Sequence, residues 1–145
     1  MENVDLNRFK AAQETDYEKA LSEIKKGRKE SHWMWFIFPQ IIGLGTSRAS
    51  VFYSLKNLDE AKDYMKDELL GARMNEVCIE LLKLDSDNAT EIFGTPDDYK
   101  LQSSMTIFKK ACPDNAVFQM VLDKFFEGKE DRRTIELIGW RESIS

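Results

Sequence analysis

Histidine occurs once in the 145 residues, cysteine twice, proline three times and glycine seven times, and each shortage removes a class of protein. Cys78 and Cys112 are far apart and fit no CxxC or Cys/His spacing, which excludes a disulfide framework and a zinc site. A reduced, cytoplasmic setting is therefore expected, with no metal and no cofactor. Scarce glycine and proline exclude collagen-like chains, disfavour β-sandwiches and leave long stretches free to be helical. The most apolar window, His32 to Gly45, is broken by Pro39, Gln40, Gly43 and Gly45 and falls short of the roughly 18 residues that cross a bilayer. At the start, Glu2, Asp5, Arg8 and Lys10 interrupt the apolar run that a signal peptide needs, so neither export nor membrane attachment is expected. Lysine and arginine number 21 against 26 acidic residues, a net charge of −5. That balance argues against a nucleic-acid partner held by bulk charge.

What is present is helical periodicity. With 42% hydrophobic residues, a chain of this length is expected to form one domain, residues 1–145, around one core. Thr15 and Glu18 form a capping box that predicts a helix start, with a separate short helix over Leu6 to Gln13 before it. Tyr17, Ala20, Leu21 and Ile24 continue at helical spacing until Gly27. Ser47 to Lys56 reads as a mostly buried helix because Ala49, Val51, Phe52, Tyr53 and Leu55 leave little polar circumference. Further helices are predicted from Asp59 to Met65 and from Leu69 to Leu84, with a brief turn at Asn88 and Thr90. Thr95 and Pro96 read as the cap and first residue of a helix that Pro113 ends. Two more follow, one from Asp114 or Asn115 to Gly128 and one from near Asp131. No stretch alternates in the manner of a strand, so the expected fold is all-α, with seven to nine helices.

Chemistry-bearing residues cluster in two places. Ser31 to Ser47 (SHWMWFIFPQIIGLGTS) has no formally charged side chain, although 32% of the chain is charged. It reads either as a core helix with a buried turn or as a ligand pocket walled by Trp33, Trp35, Phe36 and Phe38. His32 is the only side chain with an ordinary pKa near neutrality, which makes it the candidate acid–base catalyst; a satisfied interior histidine is the plainer alternative. Gly43, Gly45 and Ser47 lead into a helix beside Arg48, a pattern suited to an anion and equally to an ordinary glycine turn with a serine cap. In the second place, Lys100, Ser103 and Ser104 fall at i, i+3 and i+4. Ser104 lies inside an apolar stripe, where its hydroxyl either bonds back to the Lys100 carbonyl or faces something polar in the core.

The runs GRKESHWMWFIFPQIIGLGTSRASVFY, EAKDYMKDELLGARMNE and IFGTPDDYKLQSSMTIF resemble, in order and spacing, the bacterial domain-of-unknown-function family 1810, some of whose members carry the label calpastatin. The matching positions include His32, Trp35, Gln40, Gly43, Leu44, Gly45, Ser47, Ser50 and Tyr53, then Gly71 and Arg73, then Lys100, Ser103, Ser104, Met105 and Phe108. The resemblance implies a mostly helical intracellular protein and no particular reaction. Two functions remain open. One is a site for a small anionic ligand, phosphate-bearing or nucleotide-like, with a hydrolytic extension. In it His32, Arg48, Arg73, Lys100 and Ser104 line one cavity walled by Trp35, and Gln40, Gly43, Gly45, Ser47 and Ser103 complete the ligand contacts. The alternative is a protein-interaction module that presents an exposed apolar face and has no catalytic activity.

Overall fold

In the computed structural model, which describes residues 6–144, nine helices follow one another: α1 Asn7–Lys26, α2 Met34–Ile37, α3 Arg48–Phe52, α4 Leu58–Lys66, α5 Glu68–Lys83, α6 Ala89–Phe93, α7 Asp97–Ala111, α8 Val117–Phe126 and α9 Arg132–Ile144. Among the described residues, the one extended pairing is a parallel bridge between Ile41 and Leu55, so the fold is all-α. Glu2 and Asp5, used above in reading the opening segment, lie outside the described residues.

α1 is one continuous helix where the capping box predicts two. Phe9, Gln13, Tyr17, Ala20, Leu21 and Ile24 bury a single seam along it, and that seam runs past an exposed Thr15. Burying several large side chains, at about 1.5–3 kcal/mol each, outweighs the ~1 kcal/mol of one cap. Gly27 does end the helix. Its φ of 76° is left-handed, and the N–H groups of Gly27 and Arg28 close the last turn on the carbonyls of Ile24 and Glu23 at 2.9 and 3.0 Å.

The core is organised by α5, which packs on α1, α4 and α8, and by α7, which packs on α4, α6, α8 and α9. Phe108 of α7 stacks on Phe118 of α8 with ring centres 5.6 Å apart and lies 5.2 Å from Tyr64 of α4. Between α4 and α5, Asp67 caps the second helix by accepting the Leu69 and Leu70 N–H groups, each at 3.0 Å. Gly71 makes this tight junction feasible, because a Cβ there would stand 2.3 Å from the Met65 carbonyl oxygen.

Three sequence expectations need correction. α3 covers only part of Ser47 to Lys56, buries none of its residues and leaves Val51 47% and Phe52 56% exposed. The chain leaves the helix after Phe52 so that Leu55 can bridge Ile41, and Leu55 makes the fully buried contact. α4 runs from Leu58 to Lys66 rather than from Asp59 to Met65, and Asn57 caps it by accepting the Glu60 N–H at 2.9 Å. Pro96 precedes the first helical residue of α7, and the Thr95 hydroxyl donates to the Asp98 carboxylate at 3.2 Å instead of capping the backbone.

The Gly71 contact is open to measurement by chemical denaturation. Gly71→Ala is expected to lose about 1–3 kcal/mol, since the Met65 carbonyl oxygen, fixed in the last turn of helix α4, has nowhere to retreat. Gly139→Ala in α9, where an added Cβ meets nothing within 4 Å, is expected to gain a few tenths to about 1 kcal/mol. Equal effects from both would contradict the close-approach account.

Candidate functional site

The site begins with a carboxylate on the buried face of α1. Glu23 is 6% exposed, and its Oε1 accepts the N–H groups of Glu30 and Ser31 and the indole N–H of Trp33 at 2.8, 2.9 and 2.8 Å. Its Oε2 accepts the Ser31 hydroxyl at 2.6 Å. Burial opposes the charge, but these donors, the Ser31 hydroxyl foremost, outweigh it and bring the carboxyl from 4.5 down to about 2. Trp33 is thereby fixed in the core, and the single turn of α2 sends Met34, Phe36 and Ile37 inward as well. Trp35, on the opposite side of that turn, remains half-buried.

The chain then passes Gln40 and is pinned beside Leu55, whose N–H donates to the Gln40 carbonyl at 2.7 Å and whose carbonyl accepts the Ile42 N–H at 2.8 Å. Gly45 comes so close to α3 that a Cβ would meet Ser50 Oγ at 2.6 Å. Ser47 caps α3, accepting the Ser50 N–H at 3.1 Å.

These elements and the start of α7 enclose a cavity of about 370 Å³. The first segment contributes Trp35, Gln40, Ile41, Leu44, Gly45, Ser50 and Tyr53; α7 and its approach contribute Pro96, Tyr99, Lys100 and Ser103; Asp131 enters from the head of α9. The Lys100 ammonium lies 5.0 Å from the centre of the Trp35 ring and 3.2 Å from Asp97 Oδ1. Asp97 Oδ2 pairs with Lys29 at 2.9 Å, and Lys29 in turn lies over Trp33, 5.2 Å from its ring centre. One carboxylate therefore steadies two lysines, each over a tryptophan.

Trp35, Gln40, Gly45, Lys100 and Ser103 thus come together as the sequence suggested, and the other predicted site residues stand elsewhere. His32 and Arg48 are exposed, as are Gly43 and Ser47, and none of the four lines the cavity. Gly43 has a φ of 108°, and a Cβ there would stand 3.1 Å from the Leu137 side chain of α9. Arg73 faces α1, with its guanidinium 4.5 Å from the centre of the Tyr17 ring and a hydrogen bond to Gln13 Oε1 at 3.4 Å. Ser104 is fully buried, and its hydroxyl meets neither the Lys100 carbonyl nor any other partner among the described residues. The expected five-residue cavity of His32, Arg48, Arg73, Lys100 and Ser104 therefore reduces to Lys100. Sequence reasoning passed over Tyr99 and Asp131. Tyr99 stands next to Lys100 and is 62% exposed, a signal that adjacency could have supplied; Asp131 reads as an ordinary helix cap.

Residues 3–138 match the family model described as "Protein of unknown function (DUF1810)". The chain belongs to this family. Among solved structures, this DUF1810 protein is similar to the conserved hypothetical protein Rv1873 from Mycobacterium tuberculosis, at 44% identity and a TM-score of 0.91 over 93% of this chain and 96% of that one. No functionally curated protein matches it. In this DUF1810 chain, Trp35, Gln40, Leu44, Gly45, Ser50 and Tyr53 of the first resembling block meet Lys100 and Ser103 of the third across one cavity.

Because the Glu23 carboxyl is held below its ordinary value, its contribution to stability is complete above about pH 4.5 and drains away as pH falls toward about 2. Glu23→Gln is expected to cost about 1–3 kcal/mol at neutral pH, with the gap to wild type closing over that acid window in denaturant melts. A gap independent of pH would show that the charge is not what the donors require.

Proposed function

We propose that this protein binds a small nucleotide-like molecule carrying one phosphate group in the cavity between Trp35 and Lys100. The observation that carries the reading is their pairing: an aromatic face and an ammonium 5.0 Å apart on one cavity wall suit a flat ring with an anion attached nearby. Tyr53 and Tyr99 add aromatic surface, and Gln40, Ser50 and Ser103 add polar groups that can orient a ligand. Charge favours one phosphate over several. Among the described lining residues Lys100 is the only cation, and it already contacts Asp97, while Arg48 and Arg73 are placed elsewhere. Size agrees, since about 370 Å³ lies at the small end of the roughly 300–1,000 Å³ typical of ligand pockets.

The reading is one of binding. His32 lies outside the cavity, so no acid–base or hydrolytic step is assigned to it. No helix of the described residues is long and apolar enough to cross a membrane. A cytoplasmic location belongs to the same proposal and suits the free thiols Cys78 and Cys112. The alternative of an interaction module draws on the adjacent exposed side chains Val51 and Phe52. The other exposed large apolar side chains are spread over several helices, among them Leu69 and Ile79 of α5, Met120 of α8 and Trp140 of α9, and an adjacent pair is a small part of the ~800 Å² per partner of a stable interface, so the cavity is the stronger feature.

Thermal-shift titration with the ribonucleoside 5′-monophosphates tests the proposal, with ribose 5-phosphate and inorganic phosphate as controls. At least one monophosphate is expected to raise the melting temperature above both controls. Trp35→Ala and Lys100→Ala are each expected to weaken that ligand about tenfold or more, or about 1.4 kcal/mol. An unmoved melting temperature across the whole panel would contradict the reading.

A further inference from the structure

We infer that Asp131 receives the ribose hydroxyls of the ligand, so that the cavity selects a ribonucleotide over its 2′-deoxy counterpart; this deepens the nucleotide reading and rests on it. Asp131 lines the same cavity as Trp35 and Lys100, yet its carboxylate is only half engaged. Oδ2 accepts the Thr134 N–H at 2.9 Å and the Thr134 hydroxyl at 2.6 Å. Among the described residues no donor is hydrogen-bonded to Oδ1.

The residue is also held in place from its backbone. Its N–H donates to the hydroxyl of the fully buried Thr106 at 2.8 Å, and its carbonyl accepts the Ile135 N–H at 3.3 Å. That anchoring leaves Oδ1 as a fixed acceptor rather than a mobile surface charge. An ionised carboxylate only accepts hydrogen bonds and repels phosphate, so Asp131 cannot share the anion with Lys100. It calls for the opposite chemistry, a donor, and the vicinal hydroxyls of ribose offer two on adjacent carbons. An acidic side chain paired with a ribose 2′-hydroxyl is a recurrent means of reading that sugar. A cation and an anion on one cavity lining then fix the direction of the ligand, phosphate to Lys100 and sugar to Asp131, with the ring left for Trp35.

Calorimetric titration of ribonucleoside 5′-monophosphates and their 2′-deoxy counterparts into wild type and Asp131→Asn tests the assignment. Asparagine keeps an oxygen for the Thr134 cap while removing the charge, and a thermal melt verifies its fold. Wild type is expected to bind the ribonucleotide at least tenfold more tightly than the deoxynucleotide, and Asp131→Asn to lose about tenfold in ribonucleotide affinity together with the preference. Equal affinity for the two sugars in wild type, or an undiminished preference in Asp131→Asn, overturns the role of Asp131 and leaves the cavity as a nucleotide site. Failure of wild type to bind either sugar overturns the nucleotide reading and this inference with it. Should Asp131→Asn not fold, the comparison of the two sugars in wild type decides the matter alone.

Discussion

A single buried carboxylate, Glu23, determines which tryptophan of the HWMW stretch enters the core. Its donors come from a four-residue stretch of the chain just after α1, at Glu30 and Ser31 through the backbone and at Trp33 through the indole, with the Ser31 hydroxyl added. Four hydrogen bonds to an ionised group, each stronger than its neutral equivalent, make the direction of the chain at this point hard to alter. Once Trp33 is committed inward, the short helix α2 leaves Trp35 facing the cavity, and Lys100 has an aromatic face to lie over. The lining of the cavity is in this sense a consequence of how α1 ends.

α2 is fastened from its other side by a second polar link. Gln13, 1% exposed in the middle of α1, donates through Nε2 to the Phe36 carbonyl at 2.7 Å and to the Tyr64 hydroxyl at 3.0 Å. Its Oε1 accepts from Arg73, and the Tyr17 hydroxyl, beneath that guanidinium, donates to Glu76. Burial and the neighbouring Glu76 carboxylate raise the Tyr17 phenol well above its ordinary value, so it stays a donor at every physiological pH. Arg73 thus joins α5 to α1, and its positive charge is spent within the structure rather than offered to a ligand.

The reach of the sequence can be judged residue by residue. The helical periodicity, the Gly27 stop and the two chemistry-bearing segments were legible because each is a local property of the chain. Trp35, Gln40 and Gly45 stood out within a charge-free segment, and Lys100 and Ser103 as polar positions one helical turn apart, and the cavity gathers all five. Arg48, Arg73 and His32 stood out for their chemistry alone, and spacing along one helix does not say which neighbour that helix will face. The cap signal at Thr15 predicts a break that does not occur because such a signal is local, whereas the seam from Phe9 to Ile24 is satisfied only by packing against the rest of the molecule. Asp131 was hidden for a related reason. One oxygen serves a helix cap, which accounts for the residue locally, and its place on the same cavity as Lys100 emerges only when α9 is placed against α7.

The dependence of the site on Glu23 is tested most directly by solvent exchange of the tryptophan indole protons, followed by NMR in wild type and in Glu23→Gln. The indole N–H of Trp33, fully buried and 2.8 Å from Glu23 Oε1, is expected to exchange orders of magnitude more slowly than that of Trp140, which is 57% exposed. In Glu23→Gln that protection is expected to fall sharply while the helical content of the protein persists. Rapid exchange of the Trp33 proton in wild type, or undiminished protection in Glu23→Gln, would contradict the account.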